Sequence, residues 1–308
     1  MRTRPRFRPL VLAYALALAA APLAAGVAGA QTGPSTVGTI LIAHGGSPQW
    51  NALVERIVSE ARTGGPVAVS FLMGEAAKTT RFQDVAAKLV AQGVQEIVVV
   101  PMLVSSHSGH YEQLRWLVGA TDTLDETMMH HLHHAGIDRA SVKVPVRLTR
   151  AIDDSPEIAR VLADRAKALA TSPKEQALFL VAHGPNSAED YAQWMRNLRP
   201  VADSVKAMLG FRDVRVDMVR DDAPAPVRAE AVKRVRELIE LQAALTGKPV
   251  VVVPVLISKG RVSDEKFVAD LKGLPIVYSG EPLLPHPGLA RWVESRVREA
   301  AAVGLGTK

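Results

Sequence analysis

Two hydrophobic patterns alternate along the chain. Short, largely apolar runs occupy 39–43, 67–72, 96–100 and 141–144, and a second set occupies 177–182, 214–219, 250–253 and 275–278. Between them, apolar positions return at three- and four-residue spacing. That spacing predicts helices over about 48–61, 78–91, 111–118, 122–134, 156–170, 187–209, 226–246, 263–271 and 287–303. A strand that is apolar throughout is buried on both faces, and strands separated by helices are what parallel pairing requires. The predicted class is α/β, with two Rossmann-like lobes, each a four-stranded parallel sheet flanked by helices.

The two sets of strands carry matching words. Ile42-Ala43-His44-Gly45 ends one run and Val181-Ala182-His183-Gly184 ends another. Val98-Val99-Val100-Pro101-Met102-Leu103-Val104-Ser105 is echoed by Val251-Val252-Val253-Pro254-Val255-Leu256-Ile257-Ser258. A duplicated unit explains this order better than chance. It divides the chain into a leader over 1–30, one lobe over 31–150 and a second over 151–308, with the helix near 156–170 free to pack on either lobe.

The first thirty residues differ from the rest. Arg2, Arg4, Arg6 and Arg8 precede an apolar run from Leu10 to Ala25 and a small-residue stretch, Ala28-Gly29-Ala30, and no acid occurs among them. This is the pattern of a signal peptide, and it implies a periplasmic or secreted protein that is soluble after cleavage. A membrane anchor is the alternative reading, for which the run is short and alanine-rich. The leader also accounts for most of the net charge of +6. Without its four arginines, 33 basic residues face 31 acidic ones, or +2, too even a balance to suggest nucleic-acid binding through the overall field.

There is no cysteine, so disulfides and thiolate ligands are excluded and imidazole is the softest nitrogen donor left. Both His-Gly pairs fall at the carboxyl end of a strand, the edge at which open α/β sheets hold ligands. The loop after the third strand, Ser105-Ser106-His107-Ser108-Gly109-His110, can bring His107 and His110 to the same edge as His44. Three imidazoles suit Co²⁺, Ni²⁺, Zn²⁺ or Cu²⁺ better than Mg²⁺ or Ca²⁺. Helix capping or solvation of the loop histidines is the competing reading. Glu75, just past the second strand, can act as ligand, proton acceptor or helix-start acid.

Met128-Met129-His130-His131-Leu132-His133-His134 is the densest imidazole cluster. Its members His130 and His134 are one turn apart on a helix, an auxiliary metal position to which the methionines add some preference for copper, or simply a solvated helix end. In the second lobe the loop equivalent to 105–110 has lost its histidines and carries Lys259 and Arg261. These cations fit substrate carboxylates or plain solvation. His286, among prolines, reads as a surface or capping residue.

In these motifs the chain resembles the CbiX-type sirohydrochlorin cobaltochelatases, a branch of the class II tetrapyrrole chelatases. The shared pieces are Leu41-Ile42-Ala43-His44-Gly45, the exit Phe71-Leu72-x-x-Glu75, Val98 to Leu103 leading to Gly109-His110, the second His183-Gly184, and the closing Tyr278-x-x-Glu281-Pro282-Leu283-Leu284-Pro285-His286-Pro287-Gly288. The resemblance implies a two-lobed chelatase fold with a cleft. It also implies a lyase that inserts divalent cobalt, nickel or iron into a tetrapyrrole, with His44 and His110 binding metal or taking pyrrole protons and Glu75 nearby. His183, Lys259 and Arg261 are then the candidates for holding the tetrapyrrole. The family's usual proline-glycine loop before the second histidine is replaced here by Ser105–Gly109 with the extra His107. An exported carrier of metal or metallotetrapyrrole, without turnover, is the alternative function. Nothing in the sequence fixes the oligomeric state.

Overall fold

The computed structural model describes residues 37–302. The leader reading over 1–30 falls outside the described residues. Within them, no helix is long and apolar enough to cross a membrane.

The first sheet contains β1 (Val37–Ala43), β2 (Val67–Phe71), β3 (Glu96–Met102) and β4 (Val146–Leu148), in the order β2-β1-β3-β4. The second repeats it with β5 (Ala177–Ala182), β6 (Asp213–Met218), β7 (Val250–Val255) and β8 (Ile276–Tyr278), in the order β6-β5-β7-β8. All pairs are parallel, and Ala43 at the end of β1 stands opposite both Phe71 and Met102. Ala182 at the end of β5 stands likewise between Met218 and Val255. In this order the connections reverse direction between the first and third strands of each sheet, which opens a crevice at the strands' carboxyl ends. His44 follows β1 and His110 follows β3, so the topology delivers both to one crevice.

The helices are α1 (Pro48–Glu60), α2 (Glu75–Thr79), α3 (Phe82–Ala91), α4 (Gly109–Leu117), α5 (Glu126–His134), α6 (Pro156–Leu169), α7 (Ala188–Leu209), α8 (Ala225–Thr246), α9 (Phe267–Asp270) and α10 (Gly288–Ala302). Three elements differ from the sequence pattern. The fourth strand lies at Val146–Leu148 rather than 141–144, because Pro145 has no N–H to give the ladder and serves only as acceptor for Ile97 N–H at 2.9 Å. The helix expected over 78–91 is two helices. Thr80 breaks it by donating its hydroxyl to Ala76 C=O at 2.8 Å and accepting Phe71 N–H at 3.1 Å, an alternative to helix that short hydroxyl side chains offer. Residues Val262–Lys266 form a π-turn ahead of α9.

The lobes share a core. On β5, Leu178, Leu180 and Ala182 face the cluster that fills the first lobe and contains α6, α7 and α10, while Ala177, Phe179 and Val181 face a separate cluster with Val235, Ile239 and Phe267. The two-residue period of a strand makes this division. Helix α6 packs on α7 and β7, whereas α10, last in sequence, returns to α1 and β3 of the first lobe. Trp292 of α10 is fully buried, Arg296 Nη2 donates to Ala151 C=O at 3.1 Å, and Glu294 accepts Arg62 N–H at 2.8 Å.

Candidate metal centre

The His-Gly turns are built alike in both lobes. Gly45 has φ +91, and a Cβ there would lie 2.4 Å from Met73 O. Gly184 has φ +81, and its Cβ would lie 2.7 Å from Met218 Cβ. Both positions exclude a side chain twice over, by backbone conformation and by space. The turn lets each preceding imidazole fold onto the next carbonyl. His44 Nδ1 lies 2.8 Å from Gly45 O, and His183 Nδ1 lies 3.1 Å from Gly184 O. A carbonyl only accepts, so Nδ1 carries the proton in each and the Nε2 lone pair is left bare.

His110 reaches the same state by another route. Ser108 caps α4, accepting Tyr111 N–H at 3.3 Å, and sets His110 in the first turn. His110 Nδ1 lies 2.8 Å from Gln113 Oε1, one turn on. Gln113 is fully buried, and its Nε2 donates to Met128 C=O at 2.7 Å. That bond fixes the amide's orientation, so its oxygen faces His110 and Nδ1 must donate. His44 and His110 meet edge to face, ring centroids 4.7 Å apart and planes at 81°. Two imidazoles in edge-to-face contact, each with one ring nitrogen tied and the other bare, are donors of the type that suits a borderline divalent ion.

Burial, reinforced by the His44 charge, pushes the His110 pKa down to about 4. Its imidazole is therefore neutral at pH 7, as a metal ligand must be. Burial also lowers His183, which lies near enough to His44 and His110 to enter their electrostatics. His183 packs edge to face on Trp194 at 5.1 Å. The sign for stability follows from the depressed value. Between about pH 6.5 and about 4 the unfolded chain binds more protons at His110 than the folded one, so His110 removes stability as pH falls through that window. The unfolding free energy of wild type minus that of His110→Gln is expected to decline from pH 6.5 to pH 4 in denaturant titrations. A pH-independent difference would contradict the assignment.

His107 serves through its backbone. Its N–H donates to Ser105 Oγ at 3.1 Å and its C=O accepts the Trp194 indole N–H at 2.6 Å, which ties the loop to α7. Among the described residues no three His, Asp or Glu groups are arranged to hold a metal ion. The structure thus brings the rings of His44 and His110 into contact and holds His107 by its backbone. Glu75 opens α2, is largely exposed, and pairs with Lys78 at 2.8 Å. It lines a separate cavity with His130, His131 and His134. Lys259 pairs with Glu281 at 2.6 Å and Arg261 with Glu265 at 3.4 Å, both at the surface. His286 Nδ1 accepts Gly288 N–H at 3.0 Å, a capping role.

Several residues that hold the site carry no motif. Asp153 is fully buried at φ +47. It accepts Ser106 N–H at 2.8 Å, Ser106 Oγ–H at 2.7 Å, Asn197 Nδ2–H at 3.0 Å and Arg150 Nε–H at 3.2 Å. With Trp194 and Asn197 it clamps the His107–His110 loop against α7. Gln113 is the one a closer reading could find, since it sits three residues after His110 on a helix. Gln113→Leu is expected to free the His110 ring and lower Co²⁺ affinity by about 10- to 100-fold, as loss of a ligand's supporting hydrogen bond does. Calorimetric titration measures it, and unchanged affinity would exclude this support.

The sequence model of the CbiX family matches residues 38–169, the stretch that carries His44, Glu75 and His110. No curated protein sequence matches the chain. Among solved structures, SirB from Bacillus subtilis with Fe³⁺ superposes with a TM-score of 0.63 at 19% identity, over 88% of this chain and 98% of that one. The sirohydrochlorin chelatase SirB from Bacillus subtilis subspecies spizizenii, in complex with cobalt, gives 0.53 at 18% identity, over 88% and 97%. A multi-domain Deinococcus radiodurans protein with structural similarity to chelatases gives 0.51 at 19% identity, over 85% of this chain and 55% of its own. The fold is therefore that of the chelatases: two parallel four-stranded lobes joined at a crevice.

Proposed function

We propose that the protein is a CbiX-like chelatase that takes a divalent cobalt, nickel, iron or zinc ion as substrate through Nε2 of His44 and His110 and inserts it into a tetrapyrrole of the sirohydrochlorin class. The carrying observation is the facing pair of imidazoles, both tied at Nδ1 and bare at Nε2. The CbiX match over residues 38–169 and the relatives that hold iron or cobalt support the choice of substrate.

Insertion needs a ligand that releases its ion and an acceptor for the two pyrrole protons. His110, whose pKa lies near 4, is a poor proton acceptor at neutral pH and a ready ligand; as the ion passes to the ring, His44 Nε2 is freed to take one pyrrole proton and solvent takes the other. Two imidazoles leave coordination positions for water and for incoming ring nitrogens. Across the crevice, His183 on its glycine turn faces the ring, and Lys259 and Arg261 exchange Glu281 and Glu265 for ring carboxylates. The arginine-led apolar start over 1–30 supports a place of action outside the cytoplasm.

The test is turnover. Protein at one-hundredth of the sirohydrochlorin concentration, with Co²⁺, is expected to convert the free-base absorption spectrum many times over per chain. Stoichiometric binding with no more than one conversion, with Co²⁺, Ni²⁺ and Fe²⁺ each tried, would replace the enzyme by an exported carrier of metal or metallotetrapyrrole.

A further inference from the structure

Beside the His44–His110 pair lies a second histidine-rich feature that this mechanism does not use. A cavity of about 380 Å³ opens between α2 and α5, lined by Glu75, Lys78, His130, His131 and His134 among others. His130 and His134, one turn apart on α5, stack with ring centroids 6.3 Å apart and planes at 24°. His134 lies in the last turn of α5, where the negative end of the helix dipole favours a cation, and His130 lies one turn before it. Glu75 adds a carboxylate from the opposite wall. His131 differs from its neighbours: its Nδ1 is buried without a hydrogen-bond partner. Its ring lies near enough to His110 to enter that residue's electrostatics. A merely solvated helix end would leave this nitrogen in water, whereas here it keeps a lone pair free beneath the surface, open to a proton or a metal ion.

We propose that this cavity captures a borderline divalent cation, Co²⁺, Ni²⁺ or Zn²⁺, on His130 and His134 with Glu75, and that His131 passes the ion inward to the His44–His110 pair. The capture site stands on its own residues; only the destination rests on the proposed function. Two imidazoles and a carboxylate suit such an ion by donor type. Among the described residues no three such groups are already gathered at one point, so Glu75 has to move toward the imidazoles to complete the set. Lys78 now holds the Glu75 carboxylate at 2.8 Å, so capture displaces an ammonium. Lys78 thereby opposes binding, which gives the proposal a variant expected to gain affinity.

The experiment is Co²⁺ titration of the untagged protein, followed by calorimetry and by the visible absorption of bound cobalt, with melting curves to confirm folding. Wild type is expected to bind two ions. His44→Ala/His110→Ala is expected to keep one, of weaker affinity. Adding His130→Asn/His134→Asn to that variant is expected to weaken the remaining site by at least about tenfold, and adding Lys78→Met instead to tighten it severalfold. Residual binding that ignores both changes, or no residual binding at all, would overturn the capture site. If His44→Ala/His110→Ala leaves the stronger class untouched, the proposed function fails instead, and His130→Asn/His134→Asn in the wild-type background still decides the capture site. For transfer, His131→Asn is expected to keep two ions bound while slowing the filling of the stronger site about tenfold in stopped-flow mixing. An unchanged rate would remove His131 from the path.

Discussion

His110→Ala is expected to lower the affinity of the stronger Co²⁺ site by more than about 100-fold, and His44→Ala by a similar factor. Loss of a supporting hydrogen bond behind a ligand already costs about 10- to 100-fold, and here the ligand itself is gone. The fold should survive. His110 is only partly buried, and its removal strands one acceptor, Gln113 Oε1, at a cost of about 1–3 kcal/mol. His286→Ala is the matched control, because that imidazole caps Gly288 and leans on Asp164 away from the pair. Calorimetry on the three variants separates the outcomes. Equal, small effects for all three would remove the pair from metal binding.

Asp153→Ala is expected to be the most destabilising change near the site. Its carboxylate is fully buried and serves donors from Ser106, Arg150 and Asn197, and removing it leaves the Ser106 and Asn197 groups without their acceptor beneath the surface. Breaking a buried charged network by deleting one member costs about 3–5 kcal/mol. Alanine also tolerates the φ of +47 less well than aspartate does. In a chain of this size the thermal midpoint should fall by roughly 6–20 °C, at about 2–4 °C per kcal/mol. Asn197→Ala removes one donor, and about 1 kcal/mol is expected. Thermal unfolding followed by circular dichroism measures both. A shift under about 3 °C for Asp153→Ala would mean that the loop holding His110 is fixed by other contacts.

The difference between these two sets of residues explains what the sequence showed plainly and what it hid. The buried strands were legible because a parallel strand covered on both faces has to be apolar along its length. The His44 and His183 turns were legible because each needs glycine next, and the need recurs in both lobes. His110 was legible from its place after β3 in a topology that opens the crevice there. The Asp153–Asn197 and His107–Trp194 links were not, since each joins groups 44 or 87 residues apart through single polar contacts that leave no periodic trace. The return of α10 to the first lobe was hidden for a related reason: an apolar stripe says that a helix is buried but not against which sheet. His107 adds a role that its imidazole does not announce: its carbonyl ties the lobes through Trp194.

The most direct measurement is the position of the ion itself, from anomalous diffraction of crystals grown or soaked with Co²⁺. The expected result is a peak about 2.1 Å from Nε2 of both His44 and His110, with Nδ1 of each still turned toward Gly45 O and Gln113 Oε1. A fully occupied peak elsewhere, with the His44–His110 pair empty at saturating cobalt, would contradict the account.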